Sequence, residues 1–285
     1  MTPTFVTVAG KRVRHLVLRG SQDAVVLVHG IGGNLGNWFL NQPALAATGR
    51  TVAALDLPGH GKSYRDVSDG SLTELSTTLL DYLDVLGFAR THLVGHSMGA
   101  AVCLEAARRQ PARARSLTLV SPAGLGSPPN LAWARRLVTS RDAAELTQLL
   151  QQAVGDPTLV TPEVVDDLLR YKRLEGTIEA QVRILDGVYR GHEVDEALRL
   201  VITNQPTLVI WGDRDVVVPA LDADAFHGTG VEYHLLAPFG HEVMIEAAPQ
   251  VNRLIDEFVG RWDCSDSRIP RAAEDRGPAR GRSTV

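Results

Sequence analysis

The segment "LVGHSMGAA", residues 93–101, places Ser97 between two glycines, after an apolar run and before a string of small residues. A G-x-S-x-G pentapeptide between a strand and a helix predicts a sharp, strained turn that exposes the serine hydroxyl at the top of a sheet. The pentapeptide alone is a weak signal, so it needs a strand before it and a helix after it. In that setting Ser97 is a candidate nucleophile.

A serine hydroxyl needs a base, and a histidine base needs an acid that fixes its tautomer. "PFGHE" supplies His241 in a loop after a predicted strand at 231–236, and "WGDRDVVVP" supplies two acids after a predicted strand at 207–211. The order Ser, Asp, His suits a nucleophile carried on a parallel sheet. We interpret Asp215 as the acid because it lies farther out on the loop, and Asp213 is the alternative.

Acyl transfer also needs donors for a developing oxyanion. The N–H of Met98, the residue after the serine, is one candidate, and the N–H of Ile31 in "HGIGG" is the other. A bare glycine-rich turn or a phosphate-binding loop is the alternative for that segment, but "GIGGNLG" lacks the G-x-G-x-x-G spacing and no Walker lysine follows. We interpret His96 and His60 as structural residues.

The elements that would position these groups alternate along the chain. Short apolar runs predict a hairpin at 5–8 and 13–18, then buried strands at 24–28, 51–55, 92–94, 117–120 and 207–211. Helical spacing of apolar residues occurs at 72–86 and 100–109. The pattern predicts an α/β fold with a mostly parallel sheet and helices on both faces.

Residues 123–205 contain helical patterns and no convincing strand, which predicts a helical cap inserted between two late strands. We therefore divide the chain into a core at 1–122 and 206–262, the cap, and a disordered tail at 263–285 that is rich in Arg, Pro, Gly and Asp. Four cap residues are candidates to line a substrate pocket, with ordinary helix packing as the alternative: Trp133, Leu137, Tyr171 and Val188.

Composition narrows the function classes. The 285 residues are 44% hydrophobic and 22% charged, as in an ordinary globular protein. Their net charge of −4 gives no reason to expect binding to nucleic acid or to an anionic membrane. The two cysteines have no metal-ligand or C-x-x-C spacing, and the first residues lack the apolar core of a signal peptide. We expect a cytoplasmic monomer or homodimer that acts on a small molecule and uses no metal.

The motifs "LVHGIGG", "ALDLPGHGKS", "LVGHSMGAA", "WGDRDVVVP" and "PFGHE", in this order, resemble the α/β-hydrolase superfamily over residues 13–262. The resemblance implies a helical cap that shapes an apolar pocket, and no cofactor or metal. It also implies the same roles as above: Ser97 as nucleophile, His241 as base, Asp215 as acid, and Ile31 and Met98 as oxyanion donors.

The segments "NWFLNQPALAATGRTVAALDLPGHGKS", "LVSPAGLG" and "VVDDLLRYKRLEG" resemble the hydrolase-like catalytic domain of the acyltransferase subunit of the acetoin dehydrogenase complex. That subunit carries a lipoyl domain ahead of this one, and we expect none here. Dehalogenases and epoxide hydrolases of this fold use Asp as nucleophile. Residue 97 of this chain is Ser, so the sequence excludes both classes. The C–C hydrolases of aromatic ring cleavage usually have Asn before the serine and a more glycine-rich oxyanion loop, from which His96 and Ile31 depart.

These observations predict a serine hydrolase that cleaves a carboxylic ester or thioester of a small or medium apolar acid through an acyl-enzyme intermediate. Acyl transfer to an alcohol or thiol, and C–C bond hydrolysis with the same three residues, are alternative reactions. A non-catalytic ligand-binding protein on a hydrolase fold is the alternative of another class.

Overall fold

The computed structural model describes residues 2–125, 127–189 and 194–263, and their strands form one eight-stranded sheet in the order β1-β2-β4-β3-β5-β6-β7-β8. Strands β3 to β8 run parallel, whereas β1 pairs antiparallel with β2 and β2 with β4. The bounds are β1 Thr4–Val8, β2 Lys11–Leu18, β3 Gln22–Val28, β4 Arg50–Leu55, β5 Thr91–His96, β6 Ala114–Val120, β7 Thr207–Gly212 and β8 Glu232–Leu236.

The helices are α1 Gln42–Ala47, α2 Leu72–Val85, α3 Met98–Arg109, α4 Leu131–Thr139, α5 Ala143–Gln152, α6 Pro162–Lys172, α7 Thr177–Val188, α8 Val194–Asn204, α9 Val243–Glu246 and α10 Ala248–Gly260. The predicted strands and core helices are confirmed, and their ends agree with the prediction within three residues. Among the described residues, no helix is both long and apolar enough to cross a membrane.

The sheet is packed on both faces, as the sequence predicts. Successive residues of a strand point to opposite faces, and in β3 Val26 and Val28 join one buried cluster while Val25 and Leu27 join another. The first cluster includes α2 and α3, and the second includes α10. Because both faces are buried, the central strands need apolar residues at nearly every position, which explains their continuous apolar runs.

Helices α4 to α8 all lie between β6 and β7, so the predicted helical insertion between two late strands is confirmed; its boundaries at 123 and 205 stay a prediction. Most of the predicted tail, at 264–285, lies outside the described residues. The structure corrects this prediction at Asp263, which we assigned to the tail. The Arg50 guanidinium donates to the Asp263 carboxylate at 2.7 and 2.8 Å, so Asp263 is held against the core.

Candidate active site

Ser97 occupies the turn between β5, which ends at His96, and α3, which begins at Met98. Its backbone has φ 52° and ψ −121°, a left-handed conformation that is strained for any residue with a side chain. The Ser97 N–H donates to Val120 O at 3.0 Å, and the Ser97 carbonyl accepts from Ala100 and Ala123. These bonds hold the strained turn at the carboxyl edge of the sheet.

The two glycines of the motif are needed because the backbone approaches them closely. A Cβ on Gly95 would lie 2.4 Å from Gly99 O, so a side chain there would collide with the start of α3. A Cβ on Gly99 would lie 2.3 Å from Val28 O and 2.5 Å from His29 O, at the end of β3. The sharp turn and the close packing of α3 on β3 therefore both depend on glycine.

His241 and Asp215 form a buried pair on the loops that follow β8 and β7. His241 Nδ1 lies 2.7 Å from Asp215 Oδ2, and the two residues are 3% and 6% exposed. The Val217 and Val218 N–H groups donate to Asp215 Oδ1 at 2.9 and 2.8 Å, and Trp211 Nε1 donates to Oδ2 at 3.1 Å. A carboxylate that accepts these bonds is fixed in orientation against the imidazole.

Asp213, the alternative acid, does not reach the imidazole. Its side chain is exposed, and Oδ1 accepts a hydrogen bond from the Phe239 N–H at 3.1 Å. The loop therefore brings Asp215, and not Asp213, to His241. Asp213 instead links the end of β7 to the segment that precedes the histidine.

The electrostatics of the pair favour its charged form. Burial lowers the pKa of His241, but the Asp215 carboxylate and its hydrogen bond outweigh burial, so that pKa is raised. For Asp215, burial raises the pKa, but the His241 charge and the hydrogen bonds outweigh it and the pKa is lowered. The arrangement therefore suits an imidazole that accepts a proton beside a carboxylate that stays ionised.

The predicted oxyanion donors lie at the two turns nearest Ser97. Gly30 to Gly33 form a turn in which the Gly33 N–H donates to Gly30 O at 3.2 Å, with Gly32 at φ 73° and Ile31 at the second position. Met98 is the first residue of α3, so its N–H has no acceptor within the helix. A Cβ on Gly30 would lie 2.9 Å from Ser97 Cβ, which shows how near this turn comes to the serine.

Two histidines that the sequence analysis gave no catalytic role support these loops. Leu57 N–H donates to His29 Nε2 at 3.0 Å, so the ring proton is on Nδ1, which donates to Gly30 O at 2.7 Å. His96 Nε2 lies 3.0 Å from His241 O. Burial lowers the pKa of His29 to about 4 and that of His96 to about 3, so both rings are neutral.

A cavity of about 560 Å³ opens at the carboxyl edge of the sheet, and Ser97, His241 and Ile31 lie on its wall. None of the hydrogen bonds of the described residues joins Ser97 Oγ to the imidazole; such bonds are often long in an unliganded site. Most of the wall is apolar, from the loop after β3, the cap and α9: Ile31, Phe39, Leu40, Trp133, Leu137, Leu150, Val154, Leu159, Val160, Val164, Leu168 and Ile245.

The structure places two of the four predicted cap residues on the cavity wall, and their role in substrate binding stays a prediction. Trp133 and Leu137, both on α4, line the cavity. Tyr171 lies outside it, where the Arg14 guanidinium donates to its hydroxyl at 3.0 Å, and Val188 is packed in the core at 2% exposure. Neither residue lies on the cavity wall: Val188 on α7 packs into the core, and Tyr171 on α6 is half-buried and held by Arg14.

The cavity wall also contains five polar residues that were missed in the sequence: Asn34, Asn37, Glu163, Asp167 and Glu242. Glu242 follows His241 directly, and that adjacency is the signal that could have found it. As for a metal, three described side chains bring ligand atoms together, namely Asp23, His92 and Asp263. They do not line the cavity, and Arg50 already pairs with Asp263.

Comparison with known proteins decides the family. The profile of the alpha/beta hydrolase fold family matches residues 23–248, and the sheet order agrees with it. The chain belongs to this family. The resemblance to the hydrolase superfamily is thus confirmed, and the curated relatives confirm the resemblance to the acetoin-system acyltransferase within it.

Among curated relatives of this hydrolase-family chain, the dihydrolipoyllysine-residue acetyltransferase component of the acetoin cleaving system of Pseudomonas putida is 42% identical over 90% of the chain and 69% of that protein. A 2-hydroxy-6-oxononadienedioate/2-hydroxy-6-oxononatrienedioate hydrolase of Paraburkholderia phymatum is 29% identical over 88% and 91%. A solved meta-cleavage product hydrolase from Pseudomonas fluorescens IP01 superposes with a TM-score of 0.80 at 24% identity, over 90% and 97%. At that identity the superposition speaks for the fold alone.

Proposed function

We propose that this protein is a serine hydrolase that cleaves a carboxylic ester or thioester of a small or medium apolar acid. The observation that carries the proposal is the His241–Asp215 pair, 2.7 Å apart, in which His241 lines the same apolar cavity as Ser97 on its strained turn. The geometry matches what an activated nucleophile needs: a base within the site, and a third group that orients the base.

In the proposed reaction Nδ1–H of His241 donates to Asp215, which leaves Nε2 free to accept a proton. Nε2 takes the Ser97 hydroxyl proton while Oγ attacks the carbonyl carbon, and the N–H groups of Ile31 and Met98 stabilise the oxyanion. The bond to the leaving alcohol or thiol then breaks, and His241 protonates the leaving group. Water repeats the sequence on the acyl-enzyme, which releases the acid and restores Ser97.

Two other reactions use the same groups. The Pseudomonas putida relative is named as an acetyltransferase component, which supports acyl transfer to a thiol or alcohol in place of water. The Paraburkholderia phymatum relative is named as a hydrolase of a dienedioate, which supports C–C bond hydrolysis. Product analysis separates them, because only hydrolysis of an ester releases free acid and alcohol when no acceptor other than water is present.

The test is intact-protein mass spectrometry after incubation with a fluorophosphonate. We expect a single adduct on the native chain that is absent in Ser97→Ala. Ser121→Ala is the matched control, because Ser121 is also buried with a positive φ, 43°, but does not line the cavity. The Ser121→Ala variant should form the same adduct as the native chain.

If the native chain forms no adduct while it is folded, the proposal is wrong, and a ligand-binding protein on a hydrolase fold takes its place. If the adduct forms, the next experiment is a screen of p-nitrophenyl esters and thioesters of increasing acyl length.

A further inference from the structure

The charged groups on the cavity wall are nearly all of one sign. Besides the imidazoles, the ionisable side chains there are Glu163 and Asp167 of α6 and Glu242 beside the catalytic histidine. No lysine or arginine occurs among the described residues of the lining. A carboxylate taken into such a cavity would lose its hydration without gaining a cation or a guanidinium in exchange.

Glu242 has one carboxylate oxygen that the fold itself does not use. Its neighbour Glu246 accepts hydrogen bonds from the Gly155 N–H at 2.6 Å and the Gly240 N–H at 2.9 Å, so it holds two loops together. Glu242 Oε2 is shielded from solvent and has no hydrogen-bond partner among the described residues. A shielded carboxylate oxygen without a donor costs stability, which makes it the natural acceptor for a donor brought by a ligand.

The surroundings of Glu242 govern its charge. Burial raises its pKa, the His241 charge lowers it, the Asp215 charge raises it and the Asn37 side chain lowers it, with a raised pKa as the net result. In either protonation state this side chain offers a substrate carboxylate no positive charge. When ionised it repels that carboxylate from within a poorly hydrated site, where charges are weakly screened.

Glu163 and Asp167 act at the outer part of the cavity. They are four residues apart, hence on one face of α6, with the lining residues Val164 and Leu168 beside them. Glu163 is exposed, and the Asp167 side chain is 50% exposed with Arg170 donating to it at 2.9 Å. Solvent and this partner screen the outer carboxylates, so we expect their effect to be smaller than that of Glu242.

We propose that this cavity selects substrates by charge: it takes acyl compounds whose enclosed part is uncharged or cationic and rejects those that carry a carboxylate, with Glu242 as the principal specificity residue. The proposal rests on the proposed function, since it concerns the substrate of the same site. It also separates this chain from the Paraburkholderia phymatum relative, whose named substrate is a dicarboxylate.

The test uses three p-nitrophenyl esters with the same six-carbon acyl chain. They are the hexanoate, the adipate monoester with a terminal carboxylate, and 6-(trimethylammonio)hexanoate. We expect kcat/KM of the native chain for the adipate to be at least about ten-fold below that for the hexanoate. Repulsion between the substrate carboxylate and one nearby carboxylate lowers kcat/KM by about that factor in a poorly hydrated site. The cationic ester should match or exceed the hexanoate.

Three variants locate the cause, and the ratio of adipate to hexanoate kcat/KM is the readout for each. Glu242→Gln keeps the shape and removes the charge, so the ratio should rise several-fold. Asp167→Asn should raise it less. Asp166→Asn is the matched control on the same helix, because Asp166 is exposed and absent from the cavity wall, and it should leave the ratio unchanged.

Leu168→Arg adds the missing cation to the wall and should raise the ratio further. Equal native rates on the adipate and hexanoate, or a Glu242→Gln ratio like that of Asp166→Asn, would overturn the charge selection and leave the ester hydrolase standing. No Ser97-dependent turnover of any of the three esters, together with no fluorophosphonate adduct, would overturn the proposed function and this inference with it.

Discussion

Replacing Asp215 by asparagine changes one atom of the candidate site, and the surrounding bonds decide where that atom goes. The Val217 and Val218 N–H groups both donate to Oδ1, at 2.9 and 2.8 Å, so the amide oxygen must take that position. The amide NH₂ then faces His241 Nδ1, which the wild-type carboxylate contacts at 2.7 Å. Trp211 Nε1 keeps its second acceptor, Val218 O at 2.8 Å, so the fold tolerates the exchange.

The NH₂ group can only donate to Nδ1, which moves the imidazole proton to Nε2. In that tautomer the ring cannot accept the Ser97 proton, and the equivalent change in a serine protease lowers kcat by about 10⁴-fold. We expect a loss of about that size for Asp215→Asn. Asp213→Asn should change kcat less than about two-fold, because an amide oxygen can still accept the Phe239 N–H and the side chain is exposed.

The assay is kcat and KM on p-nitrophenyl butanoate from pH 5 to 9 for both variants, with far-UV circular dichroism as the folding control. Catalysis needs neutral His241, and Asp215 raises the pKa of that imidazole. Activity of the native chain should therefore fall as the pH drops through a pKa above 6.5, and this acid limb should lie at lower pH in Asp215→Asn. If Asp213→Asn were the more damaging variant, or Asp215→Asn kept a tenth of native activity, the assignment of the acid would be wrong.

Three further predictions concern stability and pocket size. Gly99→Ala should lower the free energy of unfolding by about 3 kcal/mol, because its Cβ would lie 2.3 Å from Val28 O. Gly87→Ala is the control, since Gly87 lies in open space at φ 71°, and it should lower the same free energy by about 1 kcal/mol. Urea titration measures the free energy of unfolding of both variants. Burial lowers the pKa of Lys172 from 10.5 to about 8, so between these pH values the unfolded chain binds more protons than the folded chain. The free energy of unfolding should therefore rise with pH in this range, by up to about 3 kcal/mol. The Lys172→Met variant should not show that rise in the same urea titration. Leu137→Ala should enlarge the cavity and shift the preferred p-nitrophenyl ester to longer acyl chains, and an unchanged chain-length profile would place Leu137 away from the substrate.

The sheet and the turn at Ser97 could be predicted from the sequence because each leaves a local pattern. A parallel strand buried on both faces is a continuous apolar run, as in residues 24–28 of β3, and the turn at Ser97 requires glycine on both sides. Strand ends were less well predicted: β5 extends to His96, two residues beyond the apolar run, because its last residues are held by pairing with β6 and not by their hydrophobicity.

The lining of the pocket could be predicted only in part, since helical periodicity reveals an apolar stripe but not what covers it. Trp133 and Leu137 on α4 meet the cavity, whereas Val188 on α7 meets the core, and the two stripes look alike in sequence. The contact of Tyr171 with Arg14 joins residues 157 apart in the chain, so nothing in the local sequence of α6 points to it.

The charge of the cavity is harder still to predict, because it is assembled from segments that are far apart in the chain. Glu163 and Asp167 come from α6, Glu242 from the loop after β8, and the sequence around each contains nearby arginines or a histidine that suggest neutral surroundings. Folding directs Arg170 outward and leaves Leu168 on the wall, so the basic residues of α6 are excluded from the cavity while two of its acidic residues, Glu163 and Asp167, remain. A net charge of −4 says nothing about this sorting; the esters that differ only in terminal charge measure it directly.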